Sequence, residues 1–581
     1  MSLNVFAQGE WLETDGRGGF ACGTVSGIRT RRYHCVLMHS ELSREKRTIL
    51  VNGFQATIKY GGDQCSLDRQ RYKGAILSPE AACNASNFSA APWPTWIWDV
   101  PGGPQFSQEI LIARATRSTV LHWRYLATSR PLILSIRPFL SCRDYHAIQR
   151  WNDRLNPDSM VRGGWRIWKP YEDVAGVAAR FNGVYRHDPD WYYDFFYAEE
   201  AARGYDALED LFSPGVLEWR LDSDHSDAYL LLRPWDGSQS ETREVNAPDA
   251  FEDFAAIVET ERSRRRNLSS PVLAARSFVV NRGAGSTIIA GYPWFTDWGR
   301  DTFIALRGLC LATRLFDEAQ RILLTWAGSL DRGMVPNRFP DGTGEPQYNS
   351  VDASLWFVIA CHEYLELTKK QGVEITADVA DRLKHAIESI LQNYSAGTRY
   401  SIHEGDDGLL CAGEPGVALT WMDAIVDGTP VTPRIGKPVE IQCLWLNALR
   451  IGGLLISSTW TEKYRKAKSS FDRLFWDPGL GCLYDVIDAD HISGRTDSRV
   501  RPNQVFAVGG LPFQLAHGEA ANALVETLER TLLTPMGLRS LSPDDPEYRG
   551  RYEGPQADRD RAYHQGTCWP WLMGPFVEAW L

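Results

Sequence analysis

The chain has 581 residues, 44% hydrophobic and 23% charged, with a formal net charge of −11. That length gives room for several domains with large cores, and the balance is that of a water-soluble globular protein. The negative charge argues against a nucleic-acid partner. Aromatic residues make up 12%, with 22 Trp. Large cores account for many of these rings, and a ring-walled cleft accounts for the rest.

The eleven Cys are scattered singly from Cys22 to Cys568, without a Cys-x-x-Cys pair. The expectation is buried free thiols in a reducing, cytoplasmic compartment, with neither a disulfide framework nor a zinc site. The first residues lack a basic region followed by an apolar one, and no apolar run is long enough to span a bilayer. No secretory signal and no membrane partner are therefore expected.

Residues 1–260 are predicted to form an antiparallel β-sandwich. Alternating runs bounded by Gly, Pro and Asp fall at 48–60, 107–112, 116–126, 132–139, 176–181, 183–187, 216–221 and 228–232. Many short strands without intervening helices imply that architecture. The glycine-dense stretch 14–27 lacks the Lys-Ser/Thr ending of a phosphate loop and reads as a close-packed hairpin. Residues 30–34, Thr-Arg-Arg-Tyr-His, read as a salt-bridged strand end. Residues 188–215, rich in Trp and Tyr among acids, are expected to form a lid or insertion.

Residues 261–581 change period. About ten helical stripes are predicted, at 272–280, 300–313, 316–330, 350–367, 377–395, 439–457, 462–474, 504–515, 519–533 and 566–581. Paired helices with polar loops suggest an α/α toroid. Four junctions, at 291–303, 346–357, 419–449 and 559–572, each set an acid or a His at an apolar helix start. One such junction is an N-cap; four in repeated hairpins point to a shared polar cleft at one end.

The third junction carries the chemistry most plainly. Trp421 stands two positions before Asp423, a Pro/Gly loop follows, and Glu440 opens the next helix, seventeen positions after Asp423. That spacing suits two carboxylates brought to one rim by a folded loop. A ring that stacks on a sugar face beside a proton donor is what glycoside chemistry requires. A loop-capping Asp and a Glu at a helix start explain the same residues equally well. No metal-ligand spacing and no Gly-x-Ser-x-Gly elbow occur, so neither a metal, another cofactor nor a serine nucleophile is expected.

At these junctions the chain resembles the glycogen debranching enzyme family in its bacterial and archaeal amylo-α-1,6-glucosidase form. The most specific stretch is Trp-Gly-Arg-Asp-Thr-Phe-Ile-Ala-Leu-Arg-Gly at 298–308. It is followed in order by Gly-Met-Val-Pro-Asn (333–337), Asp-Ala-Ser-Leu-Trp-Phe (352–357), Leu-Thr-Trp-Met-Asp-Ala (419–424), Gly-Lys-Pro-Val-Glu-Ile (436–441), Arg-Pro-Asn-Gln (501–504) and Tyr-His-Gln-Gly-Thr-Cys-Trp-Pro-Trp (563–571). The resemblance implies a β-sandwich followed by an (α/α)6 barrel and inverting removal of an α-1,6-linked glucose from a branched α-glucan. It implies Asp423 as general acid. Trp298, Arg300, Asp301, Asp352, Trp421, His564 and Gln565 would bind substrate or orient the acid.

The family's catalytic base is a Glu beyond the Trp-Pro-Trp helix, and this chain ends ten residues after Trp571. The last helical hairpin and the base are therefore expected to be missing, with Glu440 or Asp352 as internal substitutes; Glu440 could equally orient the acid. The alternatives are an exo-acting α-glucosidase of glucoamylase, trehalase or invertase type on maltooligosaccharides, and a catalytically weak glucan-binding protein. Oligomeric state is not legible in these residues.

Overall fold

The computed structural model describes residues 9–41, 46–79, 82–126, 130–237, 250–283, 285–339 and 345–581. Two compact units divide the chain. One is bounded by Met1–Ala284 with Gly291–Phe295, the other by Gly285–Ala290 with Thr296–Leu581.

The first unit holds two eight-stranded sheets and a short hairpin, Glu10–Thr14 against Phe20–Thr24. In one sheet Leu132–Asp144 lies between Lys46–Tyr60 and Leu208–Leu221. In the other, Ser118–Tyr125 lies between Gln105–Ala113 and Asp227–Trp235. These pairings are antiparallel, as the alternating runs predict. Leu132, Leu134 and Ile136 point inward at period two, which sets the register. They meet Phe106, Trp123 and Leu230 of the facing sheet in one apolar core.

Strands 105–113 and 118–125 are buried on both faces, because the Ala250–Arg265 helix covers the outer one. Its Phe254, Ile257 and Val258 pack on Leu111, Val120 and Leu231. This helix was not expected from the sequence, since its apolar stripe is so short. Arg265 ties it to Glu13 of the first hairpin at 2.6 Å.

Three expectations for this unit are corrected. Residues 188–215 form no lid: they are the strand pair Val184–Phe196 and Leu208–Leu221 with a one-turn helix between. Their rings serve the sheet, as where Phe195 packs on Phe139 at 5.2 Å. Residues 30–34 are a turn, not a strand end, although the expected ion pairs are present, Arg31 with Glu10 and Arg32 with Glu200. Cys65 and Cys83 form a disulfide across the Ser66–Ala82 bridge, and the other nine thiols are free.

The second unit is built from helical hairpins. Gly299–Leu306, Asp352–Gln371 and Val439–Leu455 touch in that order and are buried on nearly all sides. Phe316–Ala327, Ala377–Ala396, Ser458–Leu474 and Gly518–Thr531 each bury one stripe and expose the other. The first set makes an inner layer and the second an outer one. Residues 504–515, expected to be helical, hold only the short 3-10 helix Pro502–Ala507, because Gly509, Gly510 and Pro512 interrupt it. Residues 566–581 begin with a strand bridge and a 3-10 turn before the Met573–Trp580 helix, and Gln556–Tyr563 is an additional helix. Among the described residues, no helix is long and apolar enough to cross a membrane.

Trp123 is fully buried between the sheets. Trp123→Ala is expected to destabilise the first unit by about 3–5 kcal/mol in denaturant unfolding. A loss below about 1 kcal/mol would show that the intersheet core does not carry this unit.

Candidate active site

Each inner helix begins with a polar residue, and these starts come together. Arg300 is the second residue of its helix, Asp352 the first and Glu440 the second. An acid at such a position is favoured by the helix dipole, and the helix bodies behind it are largely apolar.

Arg300 is the hub of the first cluster. Its Nε donates to Asp352 Oδ2 at 2.7 Å and its Nη1 to Asp423 Oδ2 at 3.0 Å. Ser350 Oγ donates to the other oxygen of Asp352 at 2.6 Å. Asp352 is only 1% exposed, whereas the Asp423 side chain keeps 34% of its surface open. Asp423 thus sits recessed yet reachable. Enclosure raises its pKa above the usual 3.8, against the lowering pull of Arg300. Asp301 opens to solvent on the same rim. Surrounding protein, outweighing Arg300, pushes its carboxyl up to about 6, and the Asp423 charge adds to the rise.

The loop carrying Asp423 is a β-hairpin. Ile425–Val426 pairs with Thr429–Pro430, and the turn residues Asp427 and Gly428 have φ of 51° and 75°. Two left-handed positions make the Asp-Gly choice that a tight two-residue turn demands. Thr432 Oγ1 donates to Met422 O at 2.8 Å and closes the loop base.

A second, fully buried cluster lies beneath. Arg434 Nη2 donates to Glu440 Oε2 at 2.6 Å, and its Nη1 bonds the other Glu440 oxygen. The same guanidinium holds Asp485 at 2.7 Å. Asp485 Oδ1 accepts from Asn503 at 2.8 Å, and Asn503 Oδ1 accepts from Trp421 Nε1 at 2.7 Å. Arg501 donates to Gln565 Oε1 at 2.7 Å and to the His564 carbonyl at 2.8 Å. Trp421 is therefore fixed at its indole nitrogen and boxed edge-on by His564, Trp569 and Trp571, with centroids at 5.2, 5.4 and 5.3 Å.

Not every expected residue stands at an opening. Arg300, Asp301 and Asp423 share the rim, with Asp352 directly behind. Trp298 is half-buried, with the Arg338 guanidinium 5.4 Å from its ring. Glu440, His564 and Gln565 are buried at 2%, 1% and 4% exposure. His564 stacks on Trp569, and burial with three nearby arginines holds its pKa well below 6.5, so it is neutral. Gln565 is engaged at both ends, by Arg501 and by Glu547.

Sequence reasoning missed Arg434, Asp485 and Tyr563 as members of this site. Arg501 and Asn503 stand in the Arg-Pro-Asn-Gln motif, which was the available signal for them. Tyr563 is half-buried; burial raises its pKa, and the Asp423 and Asp301 charges add to the rise, which places it within their field. Asp485, inside an apolar strand run, has no such signal.

Replacing Arg434 by Met would leave Glu440 and Asp485 without their shared cation. The expected cost is on the order of 3–5 kcal/mol in urea unfolding. A change under about 1 kcal/mol would mean that this cluster is not what fixes the site floor.

The profile described as amylo-alpha-1,6-glucosidase matches residues 273–581, and that of the glycogen debranching enzyme N terminal matches 9–227. A glycogen debranching enzyme of Saccharomyces cerevisiae is 27% identical over 388 residues, covering 50% of this chain and 25% of that protein. The chain thus spans about a quarter of that relative's length. A crystal structure of a bacterial glucoamylase complexed with acarbose superposes with a TM-score of 0.56 at 12% identity, covering 99% of this chain and 86% of that one. That likeness is one of fold. With more than half its length matched by one family profile, the chain belongs to the amylo-alpha-1,6-glucosidase family of glycogen debranching enzymes.

Proposed function

We propose that the chain is an inverting glycoside hydrolase that releases α-1,6-linked glucose from the branch points of glycogen or limit dextrin. The first unit serves as its β-sandwich domain and the second as an (α/α)6-type hydrolase domain. One observation carries the reading: Asp423 is recessed, open to a ligand, and held by Arg300 with its proton affinity raised.

Asp423 is the general acid. It delivers its proton to the glycosidic oxygen as the bond breaks. Arg300 aims it: the two guanidinium bonds to Asp352 and Asp423 fix both carboxylates in one plane of contact. Asp301, with an open carboxyl, binds hydroxyls of the terminal glucose. Trp298 and Tyr563, each half-buried, supply ring walls. Trp421 and His564 support those walls from behind, and Gln565 braces Arg501.

Activation of the attacking water needs a carboxylate with a free oxygen. Glu440 has both oxygens on Arg434, and Asp352 is shared between Arg300 and Ser350. We therefore read both as positioning residues rather than as bases.

Two measurements test the reading. Glucose should appear from a branched limit dextrin as the β-anomer in NMR spectra taken during turnover; an α-anomer would exclude inversion. Asp423→Asn should lower kcat by at least about a hundredfold, as loss of a general acid does, with KM little changed. The pH profile has a definite sign. A carboxyl whose pKa is raised stays protonated, and active as an acid, above the ordinary range near 3.8. The rate should therefore hold at pH 5 and fall as pH rises further. A rate already lost by pH 5 would remove Asp423 from this role.

A further inference from the structure

Residues 542–555 run without regular secondary structure up to the Gln556–Tyr563 helix, in the unit that carries Asp423. The segment is nevertheless pinned along its length. Arg499 reaches Glu547 at 3.1 Å, and Gln565 donates to the same carboxylate at 3.0 Å. The Arg549 amide donates to the Gln565 carbonyl at 2.6 Å. The Arg549 carbonyl lies so close to Gly566 that a Cβ there would meet it at 2.3 Å. Gly566 also has a φ of 146°, so both the space and the backbone call for glycine. At the far end Arg559, 4% exposed, donates to the Gly554 carbonyl.

The ring that this fixed loop presents is Tyr552. It packs on Tyr563 with centroids 5.6 Å apart and planes at 34°, and it is 43% exposed. Tyr563 in turn meets His564 and Trp569, at 4.7 and 4.9 Å, and lies in the field of Asp423 and Asp301. Its helix is tied to the hairpin of the acid as well, because Arg561 stands 3.8 Å from Asp427. A single exposed ring is common on a protein surface and needs no role. Tyr552 differs because it is the open end of a row of rings that runs inward through half-buried Tyr563 to buried His564.

The direction of that row has a chemical meaning. A site that frees one terminal glucose encloses that glucose and lets the rest of the glucan run outward. The proton of Asp423 goes to the oxygen between the two parts. The enclosed end of the row therefore borders the glucose that is released, and the open end borders the sugar that is left. A pyranose has apolar C–H faces that suit such a ring, and a loop fixed beforehand lowers the cost of ordering it on binding. We infer that Tyr552 is a specificity-determining residue, the platform for the leaving-group sugar, which is the main-chain glucose of the α-glucan that carries the branch.

The inference rests on the proposed hydrolase reading, and the test separates the two. Branched limit dextrin and α-D-glucosyl fluoride differ in leaving group, one a glucan and the other fluoride. Tyr552→Ala should lower kcat/KM for limit dextrin at least about tenfold, chiefly through KM, as loss of a ring contact does. Its kcat/KM for glucosyl fluoride should change by less than about twofold. Tyr552→Phe keeps the platform and should hold limit-dextrin turnover within about threefold. Equal losses on both substrates, or no loss on limit dextrin, overturn the inference and leave the role of Asp423 in place. Binding gives a readout without turnover. The calorimetric Kd for maltotetraose should rise at least about tenfold in Tyr552→Ala, and that for glucose should not. Unchanged maltotetraose binding overturns the inference. Wild-type protein that binds maltotetraose through Tyr552 but releases no glucose would instead sink the hydrolase reading.

Discussion

The contact on which the site depends is the forked guanidinium of Arg300, shared between a buried carboxylate and a reachable one. Neither acid would keep its position alone. Asp352, at 1% exposure, lies inside the helical layer, where a buried carboxylate needs a hydrogen-bonding cation as its partner. Asp423, on a hairpin loop, needs an anchor to point at one place. A single planar donor group meets both needs, and Lys would not, because it lacks the fixed fork. The inner helices can then begin in polar residues while their bodies remain apolar.

The Arg434 cluster repeats this device one layer deeper. It joins Glu440, Asp485, Asn503 and Trp421 in sequence and leaves none of their charged oxygens facing apolar surroundings. The result is a rigid indole with three aromatic neighbours, two residues from the proposed acid. Rigidity of this kind is useful where an acid must be aimed at a bond, since small displacements cost rate. Glu440 looks like half of a catalytic pair in the sequence because it is an acid at a helix start near Asp423. Its burial against Arg434 leaves neither of its oxygens free.

The raised pKa of Asp423 and that of Asp301 have one cause. Both carboxyls sit at a mouth that protein surrounds but does not seal. Enclosure penalises the charge, and openness keeps the group available. A fully buried acid, such as Glu440, satisfies only the first condition; an acid on an open surface satisfies only the second.

The residues by themselves determined the sandwich strands, most of the helices and the four polar junctions. Periods of two and 3.6 are local properties that a sheet face or a helix stripe must obey. They also determined the family, because its motifs lie at fixed places in the chain. The Ala250–Arg265 helix escaped notice because its apolar residues stop at Val258 and its second half is charged. The 504–515 run misled because its glycines and proline outweigh its apolar content. Tertiary structure alone decided which acids meet which arginines, which cysteines pair, and which ring stacks on Tyr563. Arg300 and Asp423 lie 123 positions apart, and Asn52 and Glu209 lie 157 apart. No local pattern encodes such a meeting; the packing of whole layers brings it about.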